Sequence, residues 1–154
     1  MATVLIARPH PSLVGEMRPL LVDLFGDCDV AFKASELNKW IGKPLRLVVV
    51  STSFYRAEEA MSFEDGLRLI QQHWPDVPLV VPSIADRDKT AEYIRLTFRR
   101  IGVECTVFHP GDAPAGEGRR VLCVTRADLQ DEYRTVTERS IVQHAGAAGR
   151  RAVG

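Results

Sequence analysis

The chain has 154 residues and equal numbers of basic and acidic side chains, 20 of each, so its formal net charge is zero. This length is typical of one domain, and the charge balance provides no global basic field that would draw the chain onto nucleic acid or an anionic membrane. Hydrophobic residues at 45% and charged residues at 26% argue against a disordered or membrane-embedded chain and allow a sizeable core.

The three cysteines, Cys28, Cys105 and Cys123, are widely spaced and form no CxxC pair. Each lies in or near an apolar run, so we interpret them as reduced core thiols. The apolar stretch that precedes Arg8 is too short for a signal peptide or a membrane helix. We therefore expect a cytoplasmic protein without a membrane segment.

Short apolar runs alternate with helical patterns along the chain. The runs have the length and branched-residue content of buried strands and cover residues 3–7, 28–32, 45–50, 77–82, 103–108 and 120–125. Between them, apolar residues at three- and four-residue spacing predict amphipathic helices over 13–25, 36–42, 62–74 and 88–101, and a last one that carries Leu129, Tyr133 and Val136. Asp88 is a candidate helix cap, and the pairs Ser62 with Asp65 and Thr125 with Asp128 have the capping-box spacing.

This alternation predicts the α/β class, with a doubly wound parallel sheet of five or six strands between two layers of helices, because each parallel pair needs a crossover. Residues 1–144 form the predicted domain, with an extra strand and helix after residue 111. Residues 145–154 are rich in Ala, Gly and Arg and are interpreted as a flexible tail. Ligands of such sheets bind beyond the carboxyl ends of the strands, so those ends are the places to search.

Four pieces of the sequence resemble the receiver domain of response regulators, in matching order and at similar spacing. They are VLIARPHPSL, LVVVSTS, DGLRLIQQHWPDVPLVVPSIADRD and VFHP. The resemblance covers roughly residues 3 to 110 and implies a flavodoxin-like fold. In that family an acidic pair after the first strand binds magnesium, and an aspartate after the third strand accepts a phosphoryl group. A hydroxyl after the fourth strand and a Lys-Pro pair after the fifth complete the family pattern.

The chain departs from this pattern at most of these positions. Arg8 and Pro9 stand where the family has its acidic pair, and neither can ligate a cation. The phosphoacceptor position falls at Ser51, Ser83 matches the hydroxyl, and His109 replaces the lysine. The resemblance therefore implies an inactive site and a pseudo-receiver that is not an enzyme.

No cofactor or metal is expected. His10 and His109 both follow strands, but no cysteine or carboxylate is placed as the third ligand that a zinc site requires. Arg8, Arg56 and Arg87 follow predicted strands and form a candidate anion-binding group at the carboxyl edge.

The candidate interaction surface lies on the helix over 88–101, where arginines flank apolar side chains on the outer side. Aromatic residues and arginine are enriched at protein interfaces. The surface consists of Tyr93, Arg95, Leu96, Arg99 and Arg100. Receivers commonly signal through this region, so the resemblance implies a protein partner, which can be a second copy of the chain, in signalling or regulation.

Two alternatives remain open. The stretch from LVVPSIADRD to VFHPGD, together with QHAGAAGR at residues 143–150, is similar to the second motor domain of superfamily 2 helicases, although the P-loop and two arginines of that family's last motif are missing. The second alternative is a nucleotide- or phosphate-binding domain that uses the glycine-rich loop over residues 111–118. Either would serve as part of a larger assembly.

Overall fold

The computed structural model describes residues 3–7, 11–31, 34–52 and 61–153, with side chains described over 4–7, 15–31, 35–52 and 61–146. Within these residues the strands form one parallel sheet. The strands are β1 (Thr3–Ala7), β2 (Asp29–Ala31), β3 (Leu45–Val50), β4 (Leu79–Ser83), β5 (Cys105–Phe108) and β6 (Arg119–Thr125). Their order across the sheet is β2-β1-β3-β4-β6-β5, and every pair is parallel. The predicted doubly wound parallel sheet is confirmed.

The helices occupy the crossovers. They are α1 (Pro11–Phe25), α2 (Ala34–Asn38), α3 (Phe63–His73), α4 (Arg87–Arg100) and α5 (Asp131–Val153), with a 3₁₀ turn over Arg126–Leu129 before α5. The hydroxyl of Ser62 caps α3 as predicted, by accepting a hydrogen bond from the Asp65 N–H at 3.0 Å. The cap of α4 is Asp86 and not Asp88, since the Asp86 carboxylate accepts from the Lys89 N–H at 2.9 Å.

Both faces of the sheet are buried, as expected for parallel strands. Alternate residues of β3 and β4 contact two separate apolar clusters, one against α3 and α4 and the other against α1 and α5. The sequence misassigned the inner face of α5. Tyr133 and Val136 are exposed, whereas Thr137, Ile141 and Ala145 are buried, because a 3₁₀ turn precedes the helix and shifts its start to Asp131.

The main departure from chain order is at the outer edge of the sheet. The chain leaves β4, forms α4, runs along β5 as the last strand of the sheet, and then returns through residues 109–118 to insert β6 between β4 and β5. Gly118 makes this return possible. Its φ is +85°, and a Cβ there would lie 2.3 Å from the Glu104 carbonyl oxygen.

Arg119 anchors the amino end of β6. Its guanidinium donates to the Gln71 side-chain oxygen at 3.0 Å and to the carbonyls of Trp74 at 3.0 Å, Pro75 at 2.6 Å and Val77 at 2.7 Å. These acceptors lie at and just beyond the end of α3, where helix carbonyls lack partners and carry partial negative charge. Burial lowers the pKa of Arg119 to about 10, so the side chain remains charged at neutral pH.

We predict that Arg119→Lys destabilises the fold by about 2 kcal/mol, because an ammonium cannot replace a planar fork that serves several carbonyls. Thermal unfolding should show a fall in the midpoint of roughly 5 °C. Arg120→Lys is the matched control, since Arg120 is exposed on the next residue of the same strand. Equal midpoints for the two variants would show that Arg119 does not anchor β6.

Candidate functional site at the carboxyl edge of the sheet

The carboxyl ends of β3, β4 and β6 meet at one edge, where sequence analysis placed the site. Ser83 is the last residue of β4 and lies beside Thr125, the last residue of β6. The Thr52 N–H, just after β3, donates to the Pro82 carbonyl at 3.3 Å. The sheet therefore brings the residues after β3 and β4 together, as predicted for Ser51 and Ser83.

The hydroxyls at this edge are buried, Ser51 at 2% and Ser83 at 1% exposure. The Ser83 oxygen accepts from the Ala85 N–H at 3.1 Å and from the Thr90 hydroxyl at 3.0 Å. These bonds join the end of β4 to the first turn of α4. The hydroxyl of Ser83 thus holds the turn between β4 and α4.

A buried carboxylate, that of Asp128, organises the end of β6. One oxygen accepts from the Thr125 N–H at 2.8 Å and from the Thr125 hydroxyl at 2.9 Å. The other accepts from the Arg87 guanidinium at 3.0 Å, and the carboxylate side chain is 8% exposed. The Asp128 carbonyl also accepts from the Thr137 hydroxyl at 2.6 Å, which ties the 3₁₀ turn to α5.

Of the three candidate anion-binding arginines, Arg87 lies in the described part of the chain, where it has a carboxylate partner. Arg87 is paired with Asp128, and Arg126, the next arginine along this edge, lies 3.4 Å from the Glu16 carboxylate on α1. Arg8 and Arg56, and also His10, lie outside the described residues.

Beside these pairs is an open pocket of about 710 Å³. Ile84 and Tyr133, each 51% exposed, form its apolar side. Arg87, Arg126 and Asp128 form its polar side. The charges that face this space are therefore already compensated within the chain.

No family model matches the chain, and no curated protein matches it. Among solved structures, an uncharacterized protein from Neptuniibacter caesariensis is similar with a TM-score of 0.61 and 14% identity, over 98% of this chain and 92% of that one. A response regulator receiver domain protein (CheY-like) from Methanospirillum hungatei JF-1 is similar with a TM-score of 0.60 and 9% identity, over 98% of both chains. A response regulator receiver protein from Sinorhizobium medicae WSM419 is similar with a TM-score of 0.56 and 18% identity, over 96% of both. The chain has the receiver fold.

The receiver fold corrects the assignment of His109. Its strand order is 2-1-3-4-5, and here β6 takes the place beside β4 while β5 lies outside it. The family's lysine follows the strand beside the fourth one, which in this chain is β6. Its position is therefore that of Thr125 and Arg126, and not that of His109. Burial and the nearby positive charge of Arg87 lower the pKa of His109, so its imidazole is neutral at neutral pH and does not substitute for a lysine.

The outer surface of α4 in this receiver fold divides into two sides. Tyr93 and Arg100 face α3: the Tyr93 ring lies 5.3 Å from that of Phe63, and the Arg100 Nε donates to the Glu64 carboxylate at 2.8 Å. Arg95 and Arg99 face β5, where they border a groove of about 390 Å³ with residues 102–105. Leu96 lies between the two sides and is 40% exposed.

Two of the three cysteines among the described residues, Cys28 and Cys123, are buried. The cysteines are free, and burial raises the pKa of Cys28 to about 11 and of Cys123 to about 12, which keeps both thiols protonated. Among the described side chains, no group of three His, Cys, Asp or Glu could hold a metal ion. No helix in the described ranges is long and apolar enough to cross a membrane.

We predict that Asp128→Ala costs about 2 to 3 kcal/mol, because it leaves the buried Thr125 N–H without an acceptor and Arg87 without its carboxylate. Chemical denaturation measures this loss. Asp23→Ala is the matched control, since it removes an exposed carboxylate 3.7 Å from Arg134 and should cost at most about 0.5 kcal/mol. A cost for Asp128→Ala as small as that of the control would contradict the structural role of the buried pair.

Proposed function

We propose that this protein is a non-catalytic pseudo-receiver, a phosphorylation-independent interaction module in signalling or regulation. The observation that carries this proposal is that polar groups at the carboxyl edge are hydrogen-bonded within the chain. Its buried carboxylate, Asp128, is bound by Thr125 and Arg87, and the Ser83 hydroxyl is bound by Thr90 and Ala85. The polar groups that would act on a phosphoryl group instead stabilise the fold.

Phosphotransfer also lacks its nucleophile. Residues 51–57, which follow β3, contain no carboxylate, so an acyl phosphate cannot form there. Arg8 and Pro9 stand where a receiver has its magnesium-binding acids. Magnesium requires oxygen ligands, which these two side chains do not supply.

The outer surface of α4 supports the interaction role. Tyr93 and Leu96 are each 40% exposed, although both are large and apolar, and arginines surround them. This composition is typical of an interface core, where aromatic side chains and arginine are enriched. The partner is a protein, and self-association through this surface is the alternative form of the same role.

The two other functions considered from the sequence lack such support. A phosphate or nucleotide site at the carboxyl edge would need unpaired cations, whereas Arg87 and Arg126 are each paired with a carboxylate. A helicase-like role is based on the stretch over residues 79–112, which lacks a P-loop, and on the partial motif over residues 143–150, which falls within α5. Neither alternative is favoured over an interaction module.

The proposal is tested by capturing proteins from an extract of the source organism on the immobilised chain, with bound proteins quantified by mass spectrometry. We expect capture to be unchanged after the chain is treated with magnesium and acetyl phosphate. We also expect it to be unchanged in the triple variant Ser51→Ala, Thr52→Ala, Ser53→Ala. Leu96→Asp should reduce capture at least tenfold.

Val142→Asp is the control, because Val142 is an apolar residue of equal exposure (41%) on α5. It should capture the same proteins as the unmodified chain. Capture that requires acetyl phosphate, that disappears in the triple alanine variant, or that yields no specific protein would contradict the proposal.

A further inference from the structure

The backbone of β5 has one unbonded side. The Arg119 N–H donates to the Glu104 carbonyl at 2.9 Å, and Cys105 lies opposite Arg119 in the parallel register. In a parallel pair only alternate residues bond the neighbouring strand, so Thr106 bonds β6 while the N–H and C=O of Cys105 and Val107 point outward. Among the described residues, no backbone hydrogen bond reaches this outer side.

The two edges of the sheet differ in their protection. Natural edge strands avoid unwanted pairing by being short, charged or interrupted by proline. The opposite edge, β2, has three residues and carries Asp29. By contrast, β5 has the sequence Cys-Thr-Val-Phe, with no charge and no proline. It is the less protected edge.

A groove with a net positive charge runs beside this unprotected edge. Arg95 and Arg99 on α4 and Glu104, just before β5, are exposed and line it, so two arginines face one carboxylate. Cys105 and Val107 pack on the face of the sheet that α3 and α4 cover. A strand added beside β5 would therefore direct alternate side chains towards these two arginines.

We propose that β5 binds an extended acidic segment of a partner protein as an additional strand of the sheet. The outward backbone groups of Cys105 and Val107 would bond its main chain, and Arg95 and Arg99 would pair with acidic side chains at alternate positions. This inference rests on the proposed interaction role and specifies its partner chemistry.

Charge favours an acidic segment over a second copy of the chain. A twofold pairing of β5 with β5 would bring the α4 helices of both copies to the same face of the joined sheet. Arg95 and Arg99 of both copies would then lie on that one face of the joined sheet, and like charges across an interface disfavour association. An acidic segment provides the complementary charge.

The probe for this inference is a short peptide of alternating Glu and Thr, blocked at both ends and labelled for fluorescence anisotropy. The full chain, labelled with ¹⁵N, should show amide shifts centred on Cys105 to Phe108, and the amides of Cys105 and Val107 should exchange more slowly with solvent. The matched peptide of alternating Lys and Thr should bind at least tenfold more weakly. Equal binding of the two peptides, or shifts centred elsewhere, would overturn the inference.

Substitutions separate the two parts of the site. Arg99→Glu should weaken binding of the acidic peptide at least tenfold, while Arg139→Glu, the same change at an exposed arginine on α5, should leave it unchanged. Cys105→Pro removes one outward N–H and should abolish binding. The variant should still fold, since proline is accepted at the first residue of an edge strand. If Cys105→Pro does not fold, the N-methylated Glu-Thr peptide tests the same strand pairing on an unaltered protein, because it cannot donate to the outward carbonyls of Cys105 and Val107, and it should not bind.

Failure of this inference can be distinguished from failure of the proposed function. If Cys105→Pro folds and still captures every partner that the unmodified chain captures, the β5 edge is not the docking strand and the interaction role stands. Light scattering that shows a dimer, with protected β5 amides in the absence of peptide, would assign the edge to a second copy and overturn the acidic segment. Capture that depends on acetyl phosphate would instead contradict the proposed function.

Discussion

The carboxylate of Asp128 is the group around which the carboxyl edge of the sheet is arranged. It accepts three hydrogen bonds, two from Thr125 at the end of β6 and one from Arg87 at the start of α4, and it is almost completely buried. A buried carboxylate that is fully hydrogen-bonded is held in one orientation. It therefore ties the end of β6 to the start of α4, and it holds the strand beside β4 in place.

Two charged side chains hold β6 at its two ends, and their effect reaches the rest of the sheet. Arg119 binds the carbonyls after α3 at one end, and Asp128 fixes the other. Because β6 occupies the place beside β4, β5 lies outside it with an unpaired side. The proposed interaction strand is thus a consequence of how β6 is anchored.

Sequence patterns predicted the elements better than their arrangement. The buried strands and the two faces of α4, with Ile94 buried and Leu96 exposed, follow from local periodicity. The Ser62 cap follows from its spacing to Asp65. Both signals depend only on neighbouring residues. His109 was misassigned because chain order does not reveal that a later strand inserts between two earlier ones. The Gly/Pro loop over residues 109–118 was the available signal for this return. The role of Arg119 depends on carbonyls more than forty residues away and leaves no pattern.

In the proposed role, the carboxyl edge of this receiver fold does not bind a phosphoryl group and acts as structural support. Amide shifts recorded while magnesium and beryllofluoride, a phosphoryl mimic, are added to the labelled chain test it most directly. We expect Ser51, Ser83, Thr125 and Arg126 to keep their positions in the spectrum. Saturable shifts at these residues that require both additives would show a working phosphoryl site and contradict the account.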